Sequence, residues 1–259
     1  MRTRIISSLM LIPLLYAVYS GGMILKIAGL IIGLLALKEF YNAFKSIDIM
    51  PIYPVGVFSC VFLYSLDLLN ITWYIAIWLF ISIIMILIYI LISKGTGLVS
   101  GAVSLLGIVY IIFLSYHVIL IDDVEKYRYF VWLVFITAFV TDSSAYFSGY
   151  FFGKHKLCPS ISPKKTIEGA IGGIAGSIIV SVIFGLFIAE ALIIHFIIIG
   201  IIGSIAGQVG DLIASSFKRM AKIKDFGSLI PGHGGVLDRF DSILLTAPVI
   251  YYYMMVFIQ

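Results

Sequence analysis

Residues 71–93 read ITWYIAIWLFISIIMILIYILIS, without one charged side chain. A helix crosses the ~30 Å hydrocarbon core of a bilayer with about 20 mostly apolar residues. In lipid, no water is present to satisfy backbone N–H and C=O groups. A stretch of this length and composition therefore spans as a helix. The rest of the chain agrees: of 259 residues, 62% are hydrophobic and 12% charged, where a soluble domain carries about 25% charged residues. Cys60 and Cys158 lie far apart and make no metal-ligand spacing. The basic residues are few and sit beside apolar runs, which argues against a nucleic-acid partner.

Outward from 71–93, the same pattern predicts eight further spans, at about 5–20, 23–44, 55–69, 98–121, 129–152, 170–188, 193–216 and 242–257. The first follows Arg2 and Arg4 and is read as a retained helix, because no small-x-small cleavage site follows it. The predicted fold is an all-α polytopic membrane protein, a single integral-membrane domain over 1–259. It divides into N-terminal helices over 1–128 and catalytic helices with their loops over 129–259. With the N-terminus inside, only Lys26, Lys126 and Arg128 of the 17 Lys and Arg residues fall outside. That bias puts the long polar loops 153–169 and 220–241 in the cytoplasm.

The largest polar exception is 215–241, SSFKRMAKIKDFGSLIPGHGGVLDRFD. Asp211 lies just upstream, at membrane depth, where a short carboxylate is costly and needs a polar cavity or partner. Asp211, Ser215, Lys218 and Lys222 recur at helical spacing and predict one polar stripe. Asp238 and Asp241, three apart, share a face if the last helix begins there. Paired carboxylates of this kind suit Mg²⁺, which also accepts phosphate oxygens. The Pro231–Gly235 turn lets backbone N–H groups approach an anion, with His233, Gly234 and Gly235 as phosphate contacts. Lys218, Arg219, Lys224 and Arg239, beside Asp225, add charge to the run.

The other polar loop, GKHKLCPSISPKKTIEG at 153–169, places Ser162 and Thr166 beside Lys164 and Lys165, a set suited to an oxyanion. Asp142 is a further intramembrane carboxylate on the same side. Glu39, Asp67 and Glu190 carry less weight, and Asp122-Asp123 reads as a solvated outer loop. Glycines at 169, 172, 173 and 176, and at 200, 203, 207 and 210, predict closely packed helices.

Ser216-Phe217-Lys218-Arg219, then Lys224-Asp225, then the run from Ile230 to Asp241 (IPGHGGVLDRFD) resembles the signature of phosphatidate cytidylyltransferases. The Ser162–Gly169 loop, the Gly210-Asp211 pair, Asp142 and the all-helical layout share that resemblance. It implies transfer of CMP from CTP to phosphatidic acid, with Mg²⁺ as cofactor and a second, monovalent cation left open. It also implies a homodimer in the cell membrane, with its polar cavity open to cytoplasm and lipid. Asp211 and Asp238 are the implied metal ligands, joined by Asp241 and Asp142. Ser162, Lys165, Lys218, Arg219 and His233 are the implied phosphate contacts. Two rivals stand beside this reading. One is a CTP-dependent lipid kinase, or a CDP-lipid synthase using another lipid phosphate. The other is a transporter, which the one-sided gathering of polar loops disfavours.

Overall fold

The computed structural model describes residues 11–69, 73–93, 95, 97–229, 232 and 234–258. Among them the regular structure is helical apart from one small hairpin, so the protein is an all-α, multi-pass membrane protein. The helices are α1 (Leu11–Ser20), α2 (Gly22–Lys45), α3 (Tyr53–Leu68), α4 (Tyr74–Ile92), α5 (Leu98–Gly107), α6 (Leu114–Asp122), α7 (Phe130–Phe152), α8 (Ile167–Ile188), α9 (Ile193–Met220) and α10 (Leu237–Phe257). A wide π turn over Ile108–Phe113 joins α5 to α6, making one apolar rod of Leu98–Asp122. Among the described residues, six such rods are long and apolar enough to cross a membrane: α4, α5–α6, α7, α8, α9 and α10.

The chain forms two compact units. The first holds residues 1–116 and 220–239. Its helix α4 fully buries only Trp78, Ser82 and Ile86, a stripe at every fourth residue, and leaves its other apolar side chains half-buried or exposed, as a lipid-facing helix does. The stripe is tied to α3 by polar contacts that cost little in lipid because each is satisfied. Trp78 Nε1 donates to Ser59 O at 2.8 Å, and the Ser59 and Ser82 hydroxyls meet at 2.8 Å. Asp67, at 8% exposure, is neutralised by Lys26 at 2.7 Å.

The second unit holds 117–219 and 240–259. Here the glycine spacing does what the sequence implied. A Cβ at Gly169 would lie 2.8 Å from Ala145 O, and one at Gly200 would lie 2.8 Å from Ile178 Cα, so α8 meets α7 and α9 backbone to backbone.

Four features depart from expectation. Residues 153–169 are not an open loop: β1 (Lys156–Cys158) and β2 (Ser162–Thr166) pair antiparallel, with Lys156 opposite Thr166 and Cys158 opposite Ser162. The last helix begins at Leu237 rather than 242, so Asp238 and Asp241 both lie in its first turns. Lys222 leaves the predicted stripe, because α9 stops at Met220 and Lys222 turns back at φ +56° in the left-handed region. Asp122 is not solvated: it is buried, and Arg128 Nε donates to its Oδ1 at 2.6 Å.

Candidate functional site

The second unit gathers charge where the middle of α7, the C-terminal half of α9 and the first turns of α10 come together. Asp142 stands on α7, Asp211 and Lys218 on α9, and Asp241 on α10. They meet because Gly210 removes the side chain that would separate two helices; a Cβ there would lie 2.8 Å from Asp241 O. Asp211 accepts on both oxygens, from Ser215 Oγ at 3.3 Å and from Lys165 Nζ at 2.5 Å. The Ser242 hydroxyl lies between Asp142 Oδ2, at 3.2 Å, and Asp241 Oδ1, at 3.5 Å. The Ser242 N–H donates to Asp241 Oδ1 at 2.8 Å. The charges of Asp211, Lys218 and Asp142 all act on the Asp241 carboxylate. Lys218 and Asp241 are buried, at 9% and 7% exposure, so water screens their interaction poorly.

The hairpin delivers the remaining basic groups. Thr166 ends β2 and caps α8, its Oγ1 accepting the Gly169 N–H at 3.1 Å. Glu168 in the first turn closes the base of the hairpin. It accepts the Lys154 N–H at 3.0 Å and faces His155 Nδ1 at 2.6 Å. Held at both ends, β2 extends Lys165 to Asp211, while Lys164 is exposed and Ser162 is half-buried. Arg219 is exposed, and its Nε donates to Ile161 O at 3.3 Å, a second tie between α9 and the hairpin.

The first unit contains the signature turn, described apart from Ile230, Pro231 and His233; the phosphate contact expected of His233 lies outside the described residues. Gly234 takes φ +85°, which favours a residue without Cβ. Asp238 Oδ2 accepts the N–H groups of Phe226, at 2.9 Å, and Gly235, at 3.0 Å. Lys224, Asp225 and Arg239 are exposed. The N–H groups of Val236 and Leu237 go to Glu39 of α2, at 3.0 and 2.8 Å. The four N–H groups thus accounted for in this turn are met by protein carboxylates. Glu39 drew little weight in the sequence, because its partners stand 197 and 198 positions away.

Two lysines, Lys165 and Lys218, stand among three acidic side chains, Asp142, Asp211 and Asp241. The donors are carboxylate oxygens, which suit Mg²⁺. That ion needs only one or two of them when waters and substrate phosphates complete its shell. Among the described residues, no three His, Cys, Asp or Glu side chains stand together at metal-binding geometry.

Comparison with known proteins extends beyond these residues. A model of the cytidylyltransferase family matches residues 2–257. A Staphylococcus haemolyticus protein named phosphatidate cytidylyltransferase is 36% identical over 258 residues, covering 96% of this chain and 95% of its own. One of the same name from Staphylococcus aureus is 35% identical over 259 residues, with the same coverage. The Bacillus subtilis protein of that name is 38% identical over 181 residues, covering 68% of this chain and 66% of its own.

Proposed function

The chain belongs to the cytidylyltransferase family, and from that premise we propose that it transfers CMP from CTP to phosphatidic acid, giving CDP-diacylglycerol and pyrophosphate. The observation that carries the reading beyond family membership is the acid–base cluster of Lys165, Asp211, Ser215, Lys218 and Asp241 in a glycine-packed helix set. Such a cluster suits a reaction between two anions at a membrane.

A phosphatidate oxygen attacks the α-phosphorus of CTP in line. The new P–O bond forms as the bond from the α-phosphorus to the oxygen bridging to the β-phosphorus breaks, and that oxygen leaves with pyrophosphate. No protein nucleophile is needed; positioning and charge neutralisation are. Lys165, Lys218 and Arg219 offset repulsion between the substrates, and Ser162 and Thr166 lie on the strand that carries Lys165. One or two of Asp211, Asp241 and Asp142 would hold Mg²⁺, which when bound neutralises triphosphate charge. Asp238, Arg239, Gly234 and Gly235 serve the same reaction from the signature turn. The cluster and the hairpin face the cytoplasm, where CTP is available, and the protein acts as a homodimer.

Purified protein in detergent micelles, given CTP, phosphatidic acid and Mg²⁺, is expected to release pyrophosphate and form a CDP-lipid. Monodisperse protein that forms neither overturns the proposal.

A further inference from the structure

We propose that Glu39 is a positioning residue for this reaction, acting through the Gly235–Asp238 turn; the inference rests on the activity proposed above. The start of a helix exposes N–H groups without intrahelical partners, normally met by a Ser, Thr, Asp or Asn side chain just before the first turn. Helix α10 starts after Gly235-Val236, which offers no side-chain acceptor. Glu39 replaces the local cap from a distant helix: Oε1 accepts the Val236 N–H at 3.0 Å and Oε2 the Leu237 N–H at 2.8 Å. A carboxylate at this end also meets the positive pole of the helix dipole.

Two glycines shape the space around that carboxylate. A Cβ at Gly227 would lie 2.8 Å from Glu39 Cδ, and one at Gly235 would lie 2.6 Å from the same atom. Asp238 Oδ2 meanwhile holds Gly235 N and Phe226 N. Glu39 and Asp238 therefore fix opposite sides of one turn. If Glu39 lets go, Val236 and Leu237 are freed, and the backbone that aims Asp238 and Arg239 moves with them. Among the described residues of this turn Glu39 accepts the backbone N–H groups of Val236 and Leu237, and its charge also acts on Asp238, so its effect on the reaction passes through those residues.

The test uses the full-length protein in micelles, with three readouts: steady-state kinetics with CTP and phosphatidic acid, thermal melting, and amide hydrogen exchange over residues 226–240. Glu39→Gln keeps the shape but points an NH₂ group at one of the two N–H donors. The expected result is a kcat lowered by about 10- to 100-fold, the usual effect of removing a group that orients a functional ligand. The KM for CTP stays within about threefold, and exchange at Val236 and Leu237 quickens. Gly227→Ala leaves the Glu39 charge in place and displaces it, so it lowers kcat in the same direction. The double variant is then no worse than Glu39→Gln alone, the non-additivity expected of one shared mechanism.

Wild-type kcat in Glu39→Gln, unchanged exchange at Val236 and Leu237, or fully additive losses in the double variant each overturn the inference. If Glu39→Gln does not fold, Gly227→Ala with wild-type kcat and exchange overturns it. An active wild type with an equally active variant sinks the positioning role alone. An inert wild type sinks the proposed activity, and the positioning role with it.

Discussion

Replacing Gly210 by alanine probes how the acid–base cluster is assembled. The new Cβ would lie 2.8 Å from Asp241 O, with Ser242 Cα and Ser242 O both at 3.5 Å. These are backbone atoms of α10 and cannot rotate aside. Ordinary contact begins near 3.5 Å, so α9 and α10 must open by roughly 0.7 Å. Overpacking of this kind costs about 1–3 kcal/mol, while alanine gains about 1 kcal/mol over glycine inside a helix. The net loss, roughly 0–2 kcal/mol, leaves the protein folded. The effect on chemistry is larger, because Asp211 and Asp241 move with their backbones. A misplacement approaching 1 Å costs about 100-fold in rate. CDP-lipid formation, measured as kcat/KM beside a melting curve, should fall at least about tenfold. Gly207→Ala is the control. Its Cβ would meet Thr246 Oγ1 at 3.1 Å, a side chain able to give way, and its activity should stay near wild type. Gly210→Ala with near-wild-type activity, or equal losses in both variants, would refute the claim that helix approach at Gly210 sets the cluster.

Three further outcomes follow from the same geometry. Asp211→Asn removes the carboxylate that accepts from both Lys165 and Ser215; turnover should be lost while the protein elutes as a folded species, and near-normal rates would exclude Asp211 from the chemistry. Thr166→Ala deletes the cap of α8 and should lower stability by about 0.5–2 kcal/mol, seen as a lower melting temperature; an unchanged melt would mean that Glu168 alone secures the hairpin. Lys164→Cys, made with Cys158 replaced by serine and the buried Cys60 retained, should react with an impermeant thiol reagent only from the cytoplasmic face; labelling from outside alone would reverse the proposed orientation.

The long helices were legible because lipid imposes a simple rule on sequence: runs of about 20 apolar residues broken by charge. Residues 71–93 need nothing else, and the structure has α4 there, Tyr74–Ile92. The glycine ladders were legible for a similar reason, since only small residues let two backbones touch. The hairpin was not. Its strands are three and five residues long, carry lysines and a proline, and are secured by Thr166 and Glu168 rather than by an alternating pattern. The early start of α10 was legible only conditionally, through the spacing of Asp238 and Asp241, while the apolar pattern places the span itself at 242–257. Leu237-Asp238-Arg239 looks like loop, and the cap that makes it helix belongs to Glu39, nearly 200 positions away. Asp122 looked solvated because nothing local shows that Arg128 reaches back to bury it. Among the site residues, Asp211 and Lys165 stand in different segments that both read as polar exceptions, yet their ion pair depends on a strand the sequence did not announce.

The most direct test of the central claim follows label from CTP into lipid. The protein in phosphatidic acid-containing proteoliposomes is given CTP labelled at the α-phosphorus or, separately, at the γ-phosphorus. Transfer of CMP predicts that the α-label appears in the lipid and the γ-label in pyrophosphate. A γ-label in the lipid would contradict the account and identify a CTP-dependent lipid kinase, and CTP-independent movement of solute across the bilayer with no labelled lipid would identify a transporter.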